Sequence, residues 1–422
     1  LDAPAIRAVV DYLYTAPALR PQWGEAQIRA SRVEYAKAGS LPAKPVFAAD
    51  PLNLFVVVET GDHHATILDG DTFEPVTRFA TRYALHGGPK FSPDGRYVYF
   101  ASRDGWISKY DIWNLTLVAE VRAGINTRNL AVSGDGRFVM VGNTLPRTVV
   151  LLDAADLSLL QVIDAADGGG KSSRVSAVYD AAPRASFIVA LKDVPEVWEV
   201  RYAGEGSAPQ PGADRFPVRR IALDEVLDDF FLDPGCDHLI GAARGGRQGQ
   251  VVDLNAGRRI AVVDLPGLPH LGSGISWEMD GRPVLATPNL KEGLVTVIDM
   301  QDWKTVAQIR TAGAGFFLRS HENTPYAWVD AFNSASKDTL QIIDKRSLEV
   351  VGAVTPAPGH TVAHVEFTRD GRYALASLWE NDGALIVYDA ATFKEIKRVP
   401  MVKPSGKYNV YNKTTRSAGT SH

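Results

Sequence analysis

Three histidines share a phase along this chain. His86, His270 and His364 each stand a few residues before an apolar, strand-like run, at Phe91, Trp277 and Phe367, and Arg128 stands in the same relation to Val132. A neutral imidazole nitrogen can ligate a transition metal, and the ring titrates near neutrality, so each histidine is a candidate ligand or base. A second set of cations, Arg103, Lys192, Arg244, Arg247 and Lys291, recurs in another phase, at or near the connection that follows a second strand. Guanidinium groups grip carboxylates through paired N–H donors. Imidazoles inside and cations outside form a cup suited to a flat anionic ligand with a metal at its centre. Taken singly, each histidine reads as a solvated or backbone-satisfied loop residue, and only the shared phase sets the group apart. His63 and His64 read as rim residues; His238, His360 and His422 read as structural or solvated. His321, near a strand end, is expected close to the start of an inner strand and within reach of the cup, and Tyr408 is a candidate proton donor beside it.

The elements that must position these groups come from a repeat. Phe91-Ser92-Pro93-Asp94-Gly95-Arg96-Tyr97, Val132-Ser133-Gly134-Asp135-Gly136-Arg137-Phe138 and Phe367-Thr368-Arg369-Asp370-Gly371-Arg372-Tyr373 each read as strand, Asp-Gly hairpin, strand. An alternating strand ending in an acid follows, as in Ile107 to Asp111, and then a fourth strand. The acids recur at Asp69, Asp111, Asp153, Glu199, Asp253, Asp299, Asp344 and Asp389, mostly spaced by about 42 to 46 residues, the period of propeller blades. An all-β, eight-bladed propeller is expected, with an insertion at residues 204–212 in the Glu199 blade. In an up-and-down blade the connection entering the inner strand and the one between the second and third strands lie on the same face. That rule gathers both sets of reactive residues around one channel mouth. Blade one, starting at Leu54, lacks an inner strand, and Tyr408-Asn409-Val410-Tyr411 at the chain end is expected to supply it and remove the open edge. Residues 46–422 are thus read as propeller and 17–45 as a surface linker. Ile6, Val9, Val10 and Leu13 mark one amphipathic helix within residues 1–16.

Composition narrows the function classes. A net charge of −4, with basic residues dispersed along the chain, argues against a nucleic-acid footprint. The single Cys236 excludes an internal disulfide, and with no Cys-x-x-Cys-His any heme here is held non-covalently. Signatures of serine hydrolases, phosphate-binding loops and zinc proteases are absent. No apolar run reaches membrane-spanning length. The chain starts at Leu1 without a leader and is expected to be processed or truncated.

Several stretches resemble one family. Ala84-Leu85-His86-Gly87-Gly88, the segment from Ser102 to Trp113, Gly124-Ile125-Asn126-Thr127-Arg128 and the ending from Gly406 to Asn412 are similar to the heme d1 propeller of cytochrome cd1 nitrite reductases. The segment from Phe55 to His64 and Ala363-His364-Val365-Glu366-Phe367 resemble more closely the biosynthetic branch, the dihydro-heme d1 dehydrogenases. The resemblance covers nearly the whole ring. The helix through Asp11-Tyr12-Leu13-Tyr14 resembles the last helix of the cytochrome c domain of these relatives, so heme c is expected only in an N-terminal part missing here. By resemblance, His86 occupies the proximal ligand position, His270 and His321 the two distal histidines, and Arg103 and Arg128 cationic positions around the macrocycle. His364 fits the dehydrogenase pattern. The resemblance implies periplasmic oxidation of a propionate of dihydro-heme d1 to the acrylate of heme d1, with electrons passed to heme c. On that reading His86 and His364 ligate iron, and His270 acts on the propionate with Tyr408, His321 ranking behind them. Arg103, Arg128, Lys192 and Lys407 hold carboxylates, and a cytochrome acceptor and nitrite reductase are expected partners. Alternatives are a nitrite reductase using His270 and His321, a non-catalytic heme d1 carrier, and a propeller used only for protein recognition.

Overall fold

Period-two alternation decides which neighbour each strand serves. All six residues of Leu54–Glu59 are buried. Leu54, Val56 and Val58 pack toward Val98 and Phe100 on one side, while Phe55 and Val57 pack toward Leu375, Leu385 and Val387 on the other. A strand sandwiched between two sheets must be apolar on both faces, and each fully buried side chain of this size stabilises the fold by roughly 1.5–3 kcal/mol. Repeated around the ring, this packing gives eight antiparallel sheets in the computed structural model, which describes residues 2–15, 22–85, 87–202, 215–243 and 245–415. The architecture is the eight-bladed β-propeller expected from the repeat. His86, Arg244, His422 and the 204–212 insertion lie outside the described residues.

The recurring acids are turn formers. Asp253 Oδ1 accepts from the amides of Asn255 and Ala256, Asp344 from Arg346 and Ser347, and Asp389 from Ala391 and Thr392. Four residues after the acid the chain passes through positive φ, at Phe73, Leu115, Leu157, Trp303, Leu348 and Phe393. The carboxylate holds the amides that the turn would otherwise leave unsatisfied. Glu199 is the exception: its strand, Glu196–Arg201, runs past the acid. The three Asp-Gly hairpins carry glycine at φ 72°, 71° and 74° (Gly95, Gly136 and Gly371), where a β-carbon would be strained.

Closure comes from the chain end, as expected, with altered bounds. The inner strand of blade one is Pro404–Asn409, antiparallel to Leu54–Glu59 with Tyr408 opposite Val56 and Lys407 opposite Val57. Val410 and Tyr411, expected in the strand, instead begin a helix, Val410–Thr415. Asn409 Oδ1 accepts from the Asn412 amide and turns the chain out of the sheet, and Asn412 Nδ2 then bonds the Phe367 carbonyl on blade eight.

Helix Ala3–Tyr14 is capped by Asp2 and leaves Ile6, Val9 and Val10 exposed. Within the stretch read as a linker the structure has two elements. Helix Glu25–Ser31 buries Ile28 between blades two and three. Strand Val33–Glu34 pairs with Thr116–Arg122 as a fifth strand on blade two. Apolar anchors at Trp23 and Ile28 outweigh the polar composition around them.

Candidate functional site

His270, His364, Arg128 and Tyr408, drawn from four blades, line one cavity of ≈ 220 Å³ at the mouth of the central channel. Its walls are aromatic, with Phe100, Phe316, Phe317, Phe332 and Trp379, and Gly87, Gly88 and Gly406 let backbone approach. Phe332 stacks on Trp379 at 4.8 Å between ring centroids. Such walls suit a planar apolar body, while the imidazoles and the guanidinium suit its metal and carboxylates.

His270 precedes a single turn, Leu271–Ser273, that leads into the inner strand of blade six. Its Nδ1 lies 2.6 Å from the Phe316 carbonyl, which can only accept, so Nδ1 carries the proton. The neutral ring therefore has its lone pair on Nε2, which sits 3.9 Å from Asp229 Oδ2. Burial lowers the His270 pKa, opposed by the Asp229 charge. The ring is a neutral, oriented base.

His364 was expected in the connection entering its inner strand; it lies within that strand, Val362–Phe367, at a bulge between Ala363 and Val365. Its φ of 52° is unusual for a side-chain-bearing residue, and bulges of this kind re-aim a side chain. The ring packs 4.6 Å from Phe317 and 5.0 Å from Tyr408. Burial, then the Lys407 charge, holds its pKa well below the ordinary histidine range, as a metal ligand requires. Tyr408 is buried and its pKa is raised, so the phenol stays protonated.

Asp330, a residue not singled out from sequence, organises this wall. Its carboxylate accepts from the amides of Phe316 at 2.6 Å, Phe317 at 3.2 Å, Phe332 at 3.3 Å and His364 at 3.4 Å. Burial nonetheless raises its pKa to about 6. Asp229 likewise joins blades, accepting from Tyr179 Oη and the Gly272 amide. Both acids stand at strand ends near the channel mouth, a weak signal that only their amide partners make meaningful.

Arg128 donates from Nε to the Ser176 carbonyl at 2.8 Å while lining the cavity. Arg103 is half-buried beside it, and burial followed by the Arg128 charge lowers its pKa, a cationic pair that an anionic ligand would relieve. His86 itself is not described, but Leu85, Gly87 and Gly88 on either side line the cavity.

Two expectations are corrected, those for Lys407 and His321. Lys407 does not line the cavity: alternation along Pro404–Asn409 turns Gly406 and Tyr408 toward it and sends Lys407 the other way, fully buried, to the His364 carbonyl and to Ser377 Oγ at 2.8 Å. It props the His364 bulge. Lys192 sits on the expected face, pairs with Asp228 at 2.5 Å and, like Arg103, lies outside the cavity lining. His321 follows Leu318–Ser320, so it leaves its inner strand instead of entering it. It accepts from the Asn323 amide at Nδ1, and a β-carbon on Gly371 of the blade-eight hairpin would fall 2.4 Å from that atom. It lines a different hollow of ≈ 1040 Å³ with Trp277, Lys345 and Thr415, at the opposite end of the channel. The His270–His321 pair that a nitrite reductase reading needs is not assembled. Away from the cup, His238 Nδ1 meets Asp233 Oδ2 at 2.9 Å and His360 is largely exposed, both as expected.

Residues 49–413 match the family model described as Cytochrome D1 heme domain. The chain is 59% identical over its whole length to a dihydro-heme d1 dehydrogenase of Pseudomonas aeruginosa, covering 84% of that protein. It is 30% identical over 84% of its length to Protein NirF of Stutzerimonas stutzeri, covering 90% of it. A solved structure of the dihydro-heme d1 dehydrogenase NirN in complex with DHE superposes with a TM-score of 0.93 at 58% identity, over 98% of this chain and 87% of that one.

Proposed function

This chain belongs to the cytochrome d1 heme domain family and, within it, to the dihydro-heme d1 dehydrogenases, and on that footing we propose that it oxidises a propionate side chain of dihydro-heme d1 to the acrylate of heme d1. The observation that carries the reading is the convergence of His270, His364, Arg128 and Tyr408 on one aromatic-walled cavity. The tetrapyrrole is the substrate, held non-covalently. Its carboxylates meet Arg128 and Arg103, and its iron is met by His364, with His86 as the second candidate ligand. The cavity is smaller than the roughly 300–1,000 Å³ common for ligand pockets, so the macrocycle extends past it toward the mouth where Arg103 stands.

Forming the double bond removes two protons and two electrons from adjacent saturated carbons. His270 takes up a proton at Nε2, its tautomer fixed by the Phe316 carbonyl, and the developing imidazolium is stabilised by Asp229. Tyr408 stays protonated and donates a hydrogen bond at the same wall. The second proton passes to solvent and the two electrons leave one at a time to two equivalents of oxidised heme c on a cytochrome acceptor; the reaction belongs in the periplasm, with nitrite reductase as recipient of the product. No helix among the described residues is long and apolar enough to cross a membrane. Anaerobic incubation with dihydro-heme d1 and an oxidised acceptor should give a product lighter by two hydrogens. Tight binding with no mass change would replace the dehydrogenase by a carrier, and no binding would remove both.

A further inference from the structure

One buried carboxylate on blade seven reaches the functional histidines of both neighbouring blades. Asp330, 1% exposed, ends strand Tyr326–Asp330. Toward blade six it acts through a single peptide group. Its Oδ2 accepts from the Phe317 amide at 3.2 Å, and the carbonyl of that same peptide, Phe316 O, accepts from His270 Nδ1 at 2.6 Å. The preceding amide, Phe316 N, donates to Asp330 Oδ1 at 2.6 Å, so the segment that holds His270 is fastened at two points. Toward blade eight, Oδ2 also accepts from the His364 amide at 3.4 Å. His364 is the residue that the ladder register skips between Ala363 and Val365, and the carboxylate meets its amide where the bulge displaces it. The rings follow the backbone: Phe316 packs 4.3 Å from His270 and Phe317 4.6 Å from His364.

A carboxylate only accepts, and here four N–H groups converge on its two oxygens, the fourth from Phe332 at 3.3 Å. Charge-assisted bonds of this kind are stronger than neutral ones, and each link of a chain polarises the next. We propose that Asp330 is a positioning residue for the reaction, fixing the spacing between the base His270 and the iron ligand His364 by way of the Phe316–Phe317 peptide and the His364 amide. The inference rests on the roles proposed above for these two histidines. Asp330 does not line the cavity, so its effect runs through them. Blades six and eight share no strand pairing, and a group on the blade between them is placed to tie one histidine to the other. The reaction needs that tie, because the propionate hangs from a macrocycle held at its iron, and a misplacement of about 1 Å at the base can cost about a hundredfold in rate.

Asp330→Asn keeps the shape but leaves a single accepting oxygen and turns an amide NH2 toward N–H donors. In crystals of the variant without tetrapyrrole, the separation of the His270 and His364 rings should differ from wild type by more than about 0.5 Å. After loading with dihydro-heme d1 the visible spectrum should shift, and kcat should fall about a hundredfold with a smaller change in KM. Rates are taken per folded, loaded chain. Asp111→Asn controls for instability alone: it breaks a buried pair with Arg96 at 2.7 Å on blade two and should leave spectrum and kcat at wild-type values. Unmoved rings, an unchanged spectrum, a loss confined to KM, or an equal loss in Asp111→Asn would each overturn the assignment. A wild-type chain that forms no acrylate would instead remove the dehydrogenase reading, while the ring separation and the spectrum still decide the positioning. Should Asp330→Asn not fold, Asp330→Glu, which keeps the charge but shifts it by one methylene, is held to the same outcomes.

Discussion

Replacing Asp229 by Asn tests the base assignment through its electrostatics. The carboxylate stands 3.9 Å from His270 Nε2, and the two side chains are 8% and 9% exposed. At an effective dielectric of about 20, two unit charges at this separation interact by about 4 kcal/mol, an upper bound equal to about three pKa units. Asp229 spends part of that field on the hydrogens of Tyr179 Oη, Phe230 N and Gly272 N, so its raising influence on His270 is smaller than that bound. The sign follows from which form works. A base must be neutral, so activity falls as pH drops through its pKa, which burial already places below 6.5. Asp229→Asn removes a raising influence, so the acidic limb of kcat/KM should move to lower pH. The weaker base should also lower the plateau about threefold. The assay is the initial rate of acrylate formation against pH, with His270→Ala as the reference for loss of the base, expected to cost about 10² to 10⁴. An acidic limb that stays in place or moves upward would refute the pairing of Asp229 with the catalytic imidazole.

Other perturbations probe other parts. Arg103→Met should weaken tetrapyrrole binding by about 1.5–3 kcal/mol, roughly 10- to 150-fold in Kd, measured by absorbance titration, with little change in Tm. His364→Gly relieves a positive φ while deleting the imidazole, so the fold should persist while the visible spectrum of the bound tetrapyrrole shifts; an unchanged spectrum would remove His364 from the ligands. Glu366→Gln leaves Arg319 buried without its counter-charge and should destabilise the chain by about 3–5 kcal/mol in denaturant unfolding. Deleting residues 404–422 exposes the inner edge of Leu54–Glu59 and should convert a monodisperse species into aggregates visible by light scattering.

Much of the architecture is local and therefore legible in the chain. An acid followed four residues later by a left-handed residue builds a hairpin from its own neighbours, and an Asp-Gly pair does the same, so blade number and phase follow from repeats. Phase in turn places His270 and Arg128 at one end of the channel, because hairpins must alternate ends. What the chain alone leaves open is anything a single residue of register decides. Lys407 and Tyr408 are adjacent, yet one is a strut and the other a cavity wall. His321 lies on the far side because Leu318–Ser320 is only three residues long. Asp229 and Asp330 gain their meaning from amides contributed by other blades. Side-chain direction flips with each step along a strand, and hydrogen-bond partners from other blades are set only when the ring closes. The elements could thus be read from the sequence, while the aim and pairing of the functional groups required the assembled propeller.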